Sequence, residues 1–186
     1  MRGFTLLELL TVVAIMSVVM VIGVAGFIDI GRGAGIKSTA LNLRASVSHA
    51  RQYAITKRTQ TYFLYGNTNW AAGKSGYYLF ATNRGTSGTT NFSVVGITNY
   101  TAGGILFGTE DSPPSILPGA PAPIVFDTDG SCVKDGSWPN GVTQIKRLIV
   151  LTEAKRDGVV RLGGLVTTTE VYRLTGRVKG GGWVNE

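Results

Sequence analysis

The spacing of hydrophobic and polar positions changes three times along the chain. From Leu9 to Ile28, twenty residues carry no charge, and the apolar run is interrupted only at Thr11, Ser17, Gly23 and Gly26. At about 1.5 Å per residue a helix of that length covers roughly 30 Å, one hydrocarbon core, so the run predicts a transmembrane helix. Gly31-Arg32-Gly33-Ala34-Gly35 follows. Its three glycines each disfavour helix by about 1 kcal/mol, which predicts a kink or flexible joint, placed over residues 29–37. From Ser38 to Arg58 the positions Ala40, Leu43, Val47, Ala50 and Ala54 recur at alternating three and four residues, the single apolar face of a helix that packs on a sheet.

Beyond Arg58 the period shortens to that of strands. Thr59–Tyr65, Gly76–Thr82, Phe92–Asn99, Pro123–Asp127, Ile145–Thr152, Gly158–Leu162 and Thr169–Leu174 are rich in Val, Ile, Tyr, Phe and Thr, and Gly, Asn, Ser and Thr clusters separate them as turns. The prolines concentrated between Pro113 and Pro123 predict an extended crossing connection there. A long N-terminal helix followed by antiparallel strands is an α+β plan, with one folded domain over residues 38–186.

Composition adds little to this plan, and charge adds more. The net charge is +7, but residues 30–109 hold eight Lys or Arg and no acid, residues 110–144 hold five acids against Lys134, and residues 145–186 hold eight bases against four acids. Such blocks suit a nucleic acid, an anionic membrane surface, an acidic partner subunit or plain solvated surface. On the second helix Lys37, Arg44, Arg51 and Arg58 recur every seven residues and form one cationic stripe at the flank of the apolar face. Snorkelling at the edge of the core explains it, and so does contact with acids of a neighbouring subunit. Arg2 before the apolar run and Asp29, Arg32 and Lys37 after it leave the membrane orientation open.

Glu8 stands at the start of the apolar run, in Gly3-Phe4-Thr5-Leu6-Leu7-Glu8. A secretory signal has a shorter apolar region and a small-residue cleavage site at its end. A plain membrane anchor avoids an acid, because a carboxylate deep in a bilayer costs about 2.5 kcal/mol or more unless it is paired or protonated. Something is expected to pair with Glu8.

These residues resemble the prepilin processing site of type IV pilins and type II secretion pseudopilins. The resemblance implies cleavage between Gly3 and Phe4 by a membrane peptidase and N-methylation of Phe4. Residues 1–3 would be the leader and residues 4–28 the transmembrane helix. It also implies that Glu8 meets the Phe4 amine of a neighbouring subunit as the helices bundle, a buried pair whose disruption typically costs about 3–5 kcal/mol. The implied partners are other pilin or pseudopilin subunits, the prepilin peptidase, the inner-membrane assembly platform and, before assembly, membrane lipid. The implied location is the bacterial inner membrane, single-pass with the globular domain in the periplasm, and then the pilus or pseudopilus.

Catalytic chemistry finds little in the sequence. His49 has no cysteine or carboxylate at ligand spacing, no Gly-x-Ser-x-Gly stretch is present, and no enzyme and no cofactor are expected. Asp127, Asp129 and Asp135 could be weighed as calcium ligands, but Asp127-Thr128-Asp129-Gly130 lacks the rest of an EF-hand loop and suits a turn, so no metal is expected. Cys132 is the one cysteine, and packing must hold the fold without an internal disulfide.

Ala50-Arg51-Gln52-Tyr53-Ala54-Ile55, Ile124-Val125-Phe126-Asp127-Thr128-Asp129-Gly130 and Gly176-Arg177-Val178-Lys179 resemble the GspH/FimT branch of minor pilins and pseudopilins. That resemblance implies a pilin-like fold, a long helix on an antiparallel sheet or sandwich, and a subunit of the type II secretion pseudopilus. The alternative is a FimT-like pilus subunit that binds DNA for uptake, since such members carry a Gly-Arg-x-Arg element. Here its last position is Lys179, which keeps the charge and loses the bidentate geometry. Strand alternation puts Arg177 and Lys179 on one side, with Arg173 joining at spacing four, a patch suited to phosphate contacts.

Overall fold

A computed structural model gives the fold. It describes residues 5–68, 75–83, 92–109, 116–132, 146–154, 160–161 and 164–185, with the side chains of 22, 24–32 and 182–185 left aside. The chain forms two compact units, Met1–Gly35 and Ile36–Glu186.

One helix, α1 (Leu6–Lys57), runs through the sequence of both. The backbone is helical through Gly31–Gly35, and the boundary between the two units falls at the last of these glycines, inside the stretch 29–37 where a kink or flexible joint is expected. Adding one hydrogen bond per residue to an existing helix offsets the glycine penalty, whereas starting a second helix would carry a new nucleation cost. The separate helix expected from Ser38 is therefore the second half of α1.

In the first unit Thr5 caps the helix. Its Oγ1 accepts from the Glu8 N–H at 3.3 Å, and its carbonyl accepts from the Leu9 N–H at 3.2 Å. The polar breaks at Thr11 and Ser17 are neutralised locally, because Thr11 Oγ1 donates to the Glu8 carbonyl (2.9 Å) and Ser17 Oγ donates to that of Val13 (2.8 Å). The large apolar side chains from Leu6 to Val21 are exposed around the whole helix. Among the described residues no helix is long and apolar enough to cross a membrane, and the remainder of the expected span lies among side chains outside those described.

The second unit is antiparallel sheet around the end of α1. The strands are β1 (Thr61–Asn67), β2 (Gly76–Asn83), β3 (Phe92–Tyr100), β4 (Ile105–Gly108), β5 (Ile124–Phe126), β6 (Lys146–Glu153), β7 (Leu165–Tyr172) and β8 (Val178–Asn185). They form two four-stranded sheets, ordered β3-β2-β1-β5 and β4-β6-β7-β8. The helix ends where Arg58 takes a left-handed φ of 49° and the Thr59 N–H reaches back to the Ala54 carbonyl at 3.3 Å, which delays β1 to Thr61.

Ile36, Ala40, Leu43, Val47, Ala50 and Ala54 are fully buried, the face that the three-four spacing predicts. They share one core with Phe63 and Tyr65 of β1, Phe107 of β4, Phe126 of β5, Ile149 and Leu151 of β6, and Val171 of β7. The two sheets also meet directly. Asn67, at the end of β1, donates from Nδ2 to the carbonyls of Phe107 (3.0 Å) and Leu117 (3.1 Å) and accepts the Phe107 N–H at 2.9 Å.

Several expectations shift. β4 follows Gly103-Gly104 as four consecutive buried residues, too short and too uniformly apolar to show a strand period. β7 starts at Leu165 and not at Thr169, because the threonine run pairs with β6 through Thr152↔Val166. Of the strand expected over Gly158–Leu162 only Val160 and Arg161 are among the described residues, and Val160 bridges Ala154. The proline-rich connection is described from Ile116 onward and carries the chain from β4 to β5, with Ile116 bridged to Gly108.

Candidate functional site

Two groups of residues carry the functional expectations. In the N-terminal group, Gly3 and Phe4 lie outside the described residues, and Glu8 lies in the first helical turn, exposed. A carboxylate there is favoured locally by the helix dipole, and the Glu8 backbone N–H is held by Thr5. Exposed apolar side chains on every side of the helix surround this one acid. Such a helix requires apolar surroundings that its own unit does not supply.

The second group lies on the β7–β8 hairpin. Gly176 turns the chain with φ +59°, its N–H donating to the Tyr172 carbonyl at 2.7 Å, and the Tyr172 N–H donates to the Arg177 carbonyl at 2.9 Å. That pairing sets Tyr172 opposite Arg177 and is followed by Glu170 opposite Lys179. Val171 faces the core with no exposure, so Glu170, Tyr172, Arg177 and Lys179 share the outer face, as alternation predicts for the two bases. Arg173 sits in the turn itself, partly exposed, its carbonyl accepting the Cys132 N–H at 2.8 Å.

The neighbouring strand completes a network that sequence spacing does not reveal. Lys146 of β6 stands opposite Tyr172, and its Nζ contacts Glu170 Oε1 at 2.6 Å. Tyr172 Oη donates to Glu170 Oε2 at 2.9 Å, so both oxygens of the carboxylate are engaged. The hydrogen bond from Lys146, then that from Tyr172, holds the Glu170 carboxyl below its ordinary range, and the charge of Lys179 adds to the effect. Glu170 reciprocally raises the Lys146 ammonium and the Tyr172 phenol. Residues 146, 170 and 179 lie far apart in sequence, and only the register of three strands brings them together.

The inner side of the same hairpin is occupied by the cationic stripe. Arg44 Nη2 donates to the Thr168 carbonyl (3.3 Å) and its Nε to Thr169 Oγ1 (3.4 Å), while Arg51 Nε donates to the Gly130 carbonyl (3.1 Å). A β-carbon on Gly180 would run into the Arg44 guanidinium, which explains a glycine inside β8. Arg44 therefore seats the hairpin on its own helix, and Arg51 ties the turn after β5 to the same helix.

The remaining candidates resolve into local structure. His49 is exposed and meets the Phe80 ring edge-on, with centroids 5.2 Å apart. Asp127 Oδ1 accepts the Thr128 N–H (2.8 Å) and Asp129 Oδ1 the Ser131 N–H (2.7 Å), closing the turn after β5. The Ser131 hydrogen bonds hold Asp129 below its ordinary value. Asp135 lies outside the described residues. Arg147, missed in the sequence, is buried with its guanidinium carbon 5.7 Å from the Tyr65 ring centroid and Nη1 3.4 Å from the Pro123 carbonyl.

No match is found among curated proteins or among solved structures. Residues 1–24 match the prokaryotic N-terminal methylation motif, and that match supports a type IV pilin or pseudopilin.

Proposed function

We propose that the chain is a non-enzymatic, pilin-like subunit, cut by prepilin peptidase between Gly3 and Phe4, methylated on Phe4, and assembled through α1 into a type II secretion pseudopilus. The observation that carries this reading is the conjunction of the methylation motif with a capped helix that, over residues 6–21, exposes apolar side chains on all sides and a single carboxylate, Glu8. Before assembly lipid covers that helix as a single inner-membrane span, with the strand-rich unit in the periplasm. Afterwards neighbouring helices replace the lipid, and Glu8 finds the Phe4 amine of the next subunit.

The test is mass spectrometry of chain recovered from its native membrane and from the filament fraction. Loss of Met1-Arg2-Gly3 and an N-methylated Phe4 are expected. Glu8→Ala is expected to be processed normally and to leave the filament fraction. Intact Met1 in assembled protein, or filament yield untouched by Glu8→Ala, contradicts the proposal.

A second reading, a FimT-like pilus subunit that captures DNA, is favoured by Arg177 and Lys179 sharing one outer sheet face with Lys146. Deleting the gene separates the two readings. Lost secretion with intact DNA uptake supports the pseudopilus, and the reverse supports the DNA-binding pilus.

A further inference from the structure

The outer face of β6, β7 and β8 brings Lys146, Lys179 and Arg177 around one carboxylate, Glu170, next to the turn that carries Arg173. A chain read by its motif alone has a short basic element ending at Lys179. The folded chain has a cationic face three strands wide whose centre is acidic. Lys146 is 2.6 Å from Glu170, and Lys179 stands directly opposite Glu170 in register. Among the described residues, Lys146 and Glu170 form the ion pair, and Arg177 and Arg173 have no carboxylate at that range.

We infer that Lys146 belongs to the DNA-contacting surface and that Glu170, braced by Tyr172, is the residue that sets how strongly this surface takes up a duplex. The inference rests on the DNA-capture reading given above. The physical chemistry is a competition for cations. A lysine contributes to duplex binding by releasing counterions condensed on a phosphate, and a lysine already neutralised by a neighbouring carboxylate displaces fewer of them. Glu170 holds Lys146 through a direct contact and offsets the charge of Lys179 across the strand pair, while Tyr172 fixes the second oxygen and keeps the carboxylate in place. With Glu170 ionised, Arg177 and Arg173 provide the first contacts. A phosphate backbone then has to outcompete Glu170 for Lys146 and Lys179, which gives weak capture that releases readily and depends less steeply on salt than the same surface without the carboxylate would.

The two lysines differ from arginine in the way this scheme needs. An ammonium is a point charge on a flexible stem, able to swing between a carboxylate and a phosphate, whereas an arginine bound bidentately to Glu170 would be held there. Lys179 in place of the second arginine of the related element fits an exchangeable cation.

The experiment uses the full chain in non-ionic detergent, a short labelled DNA duplex as probe, and a salt titration. Glu170→Gln removes the charge and leaves an oxygen for Lys146 and Tyr172. It is expected to tighten duplex binding severalfold at low salt and to steepen the slope of log K against log salt by about 0.9, the increment for one additional phosphate contact. Glu153→Gln makes the same charge change at the other end of β6 and is expected to leave the slope unchanged. Lys146→Ala in the Glu170→Gln background is expected to return the slope to that of the parent chain.

If the parent chain binds duplex and Glu170→Gln leaves affinity and slope unchanged, or if Glu153→Gln matches it, the inference fails while the DNA reading stands. Binding gained only in Glu170→Gln supports restraint by Glu170 and removes DNA capture as a property of the native protein. Absence of binding in every variant, with thermal unfolding showing all of them folded, overturns both.

Discussion

At Gly176 the carbonyl oxygen of Gly130 occupies the place a β-carbon would take, and φ is +59°. Gly176→Ala combines left-handed backbone strain with a steric conflict against main chain, and is expected to lower stability by about 1–3 kcal/mol. Gly103→Ala, where a β-carbon meets open space, should stay within about 0.5 kcal/mol in the same urea unfolding series. Equal effects would contradict the geometry of the hairpin turn. At this scale the sequence is legible where chemistry is local. Glu8 in an apolar run and Gly176 before a basic pair each stand out in a window of a few residues. Glu170, Tyr172 and Lys146 do not, because their association depends on the register of three strands, and an acid in a threonine-rich strand has no local mark.

The elements follow the same division. The helix face from Ile36 to Ala54 and most of the strands could be read from period, since one-sided burial imposes it. Two strands resisted for identifiable reasons: β4 is buried along its whole length, and β8 is interrupted by glycines that make room for Arg44 and Thr168. The helical backbone through Gly31–Gly35 is not legible in the glycines themselves, because propensity weighs single residues whereas a long helix is propagated cooperatively. Between β6 and β7 the Lys146–Glu170 pair gives a pH dependence of definite sign. Glu170 titrates below its ordinary value of 4.5 in the folded chain, first because of its hydrogen bond from Lys146. Its contribution is therefore fully present above that value and is lost as pH falls through the lowered folded pKa. The stability difference between the parent chain and Glu170→Gln should be constant near neutrality and shrink in acid. A difference that grows as pH falls would contradict the pairing. The pair is solvent-exposed, so added salt should reduce the effect.

For the strand-rich unit, the governing feature is that, among the described residues, the end of α1 and both sheets contribute to one shared core. Cys132 lies in it, and burial pushes its thiol up to about 12, with Arg51 and Arg147 drawing it partly back. A thiol so placed is a poor nucleophile at neutral pH, because the reactive thiolate is scarce and sheltered. Alkylation of Cys132 in the folded chain is expected to be slow and to accelerate with denaturant in step with loss of helical signal. Fast labelling without unfolding would place Cys132 outside the shared core. The sheets depend on each other at one more point, the side-chain amide of Asn67, which donates to the carbonyls of Phe107 and Leu117. Hydrolysis of that amide, the ordinary chemical ageing of asparagine, would put a carboxylate oxygen against two carbonyl oxygens with no proton between it and either of them. The seam between the sheets thus has a clock in it, set by the lifetime of a single carbon–nitrogen bond.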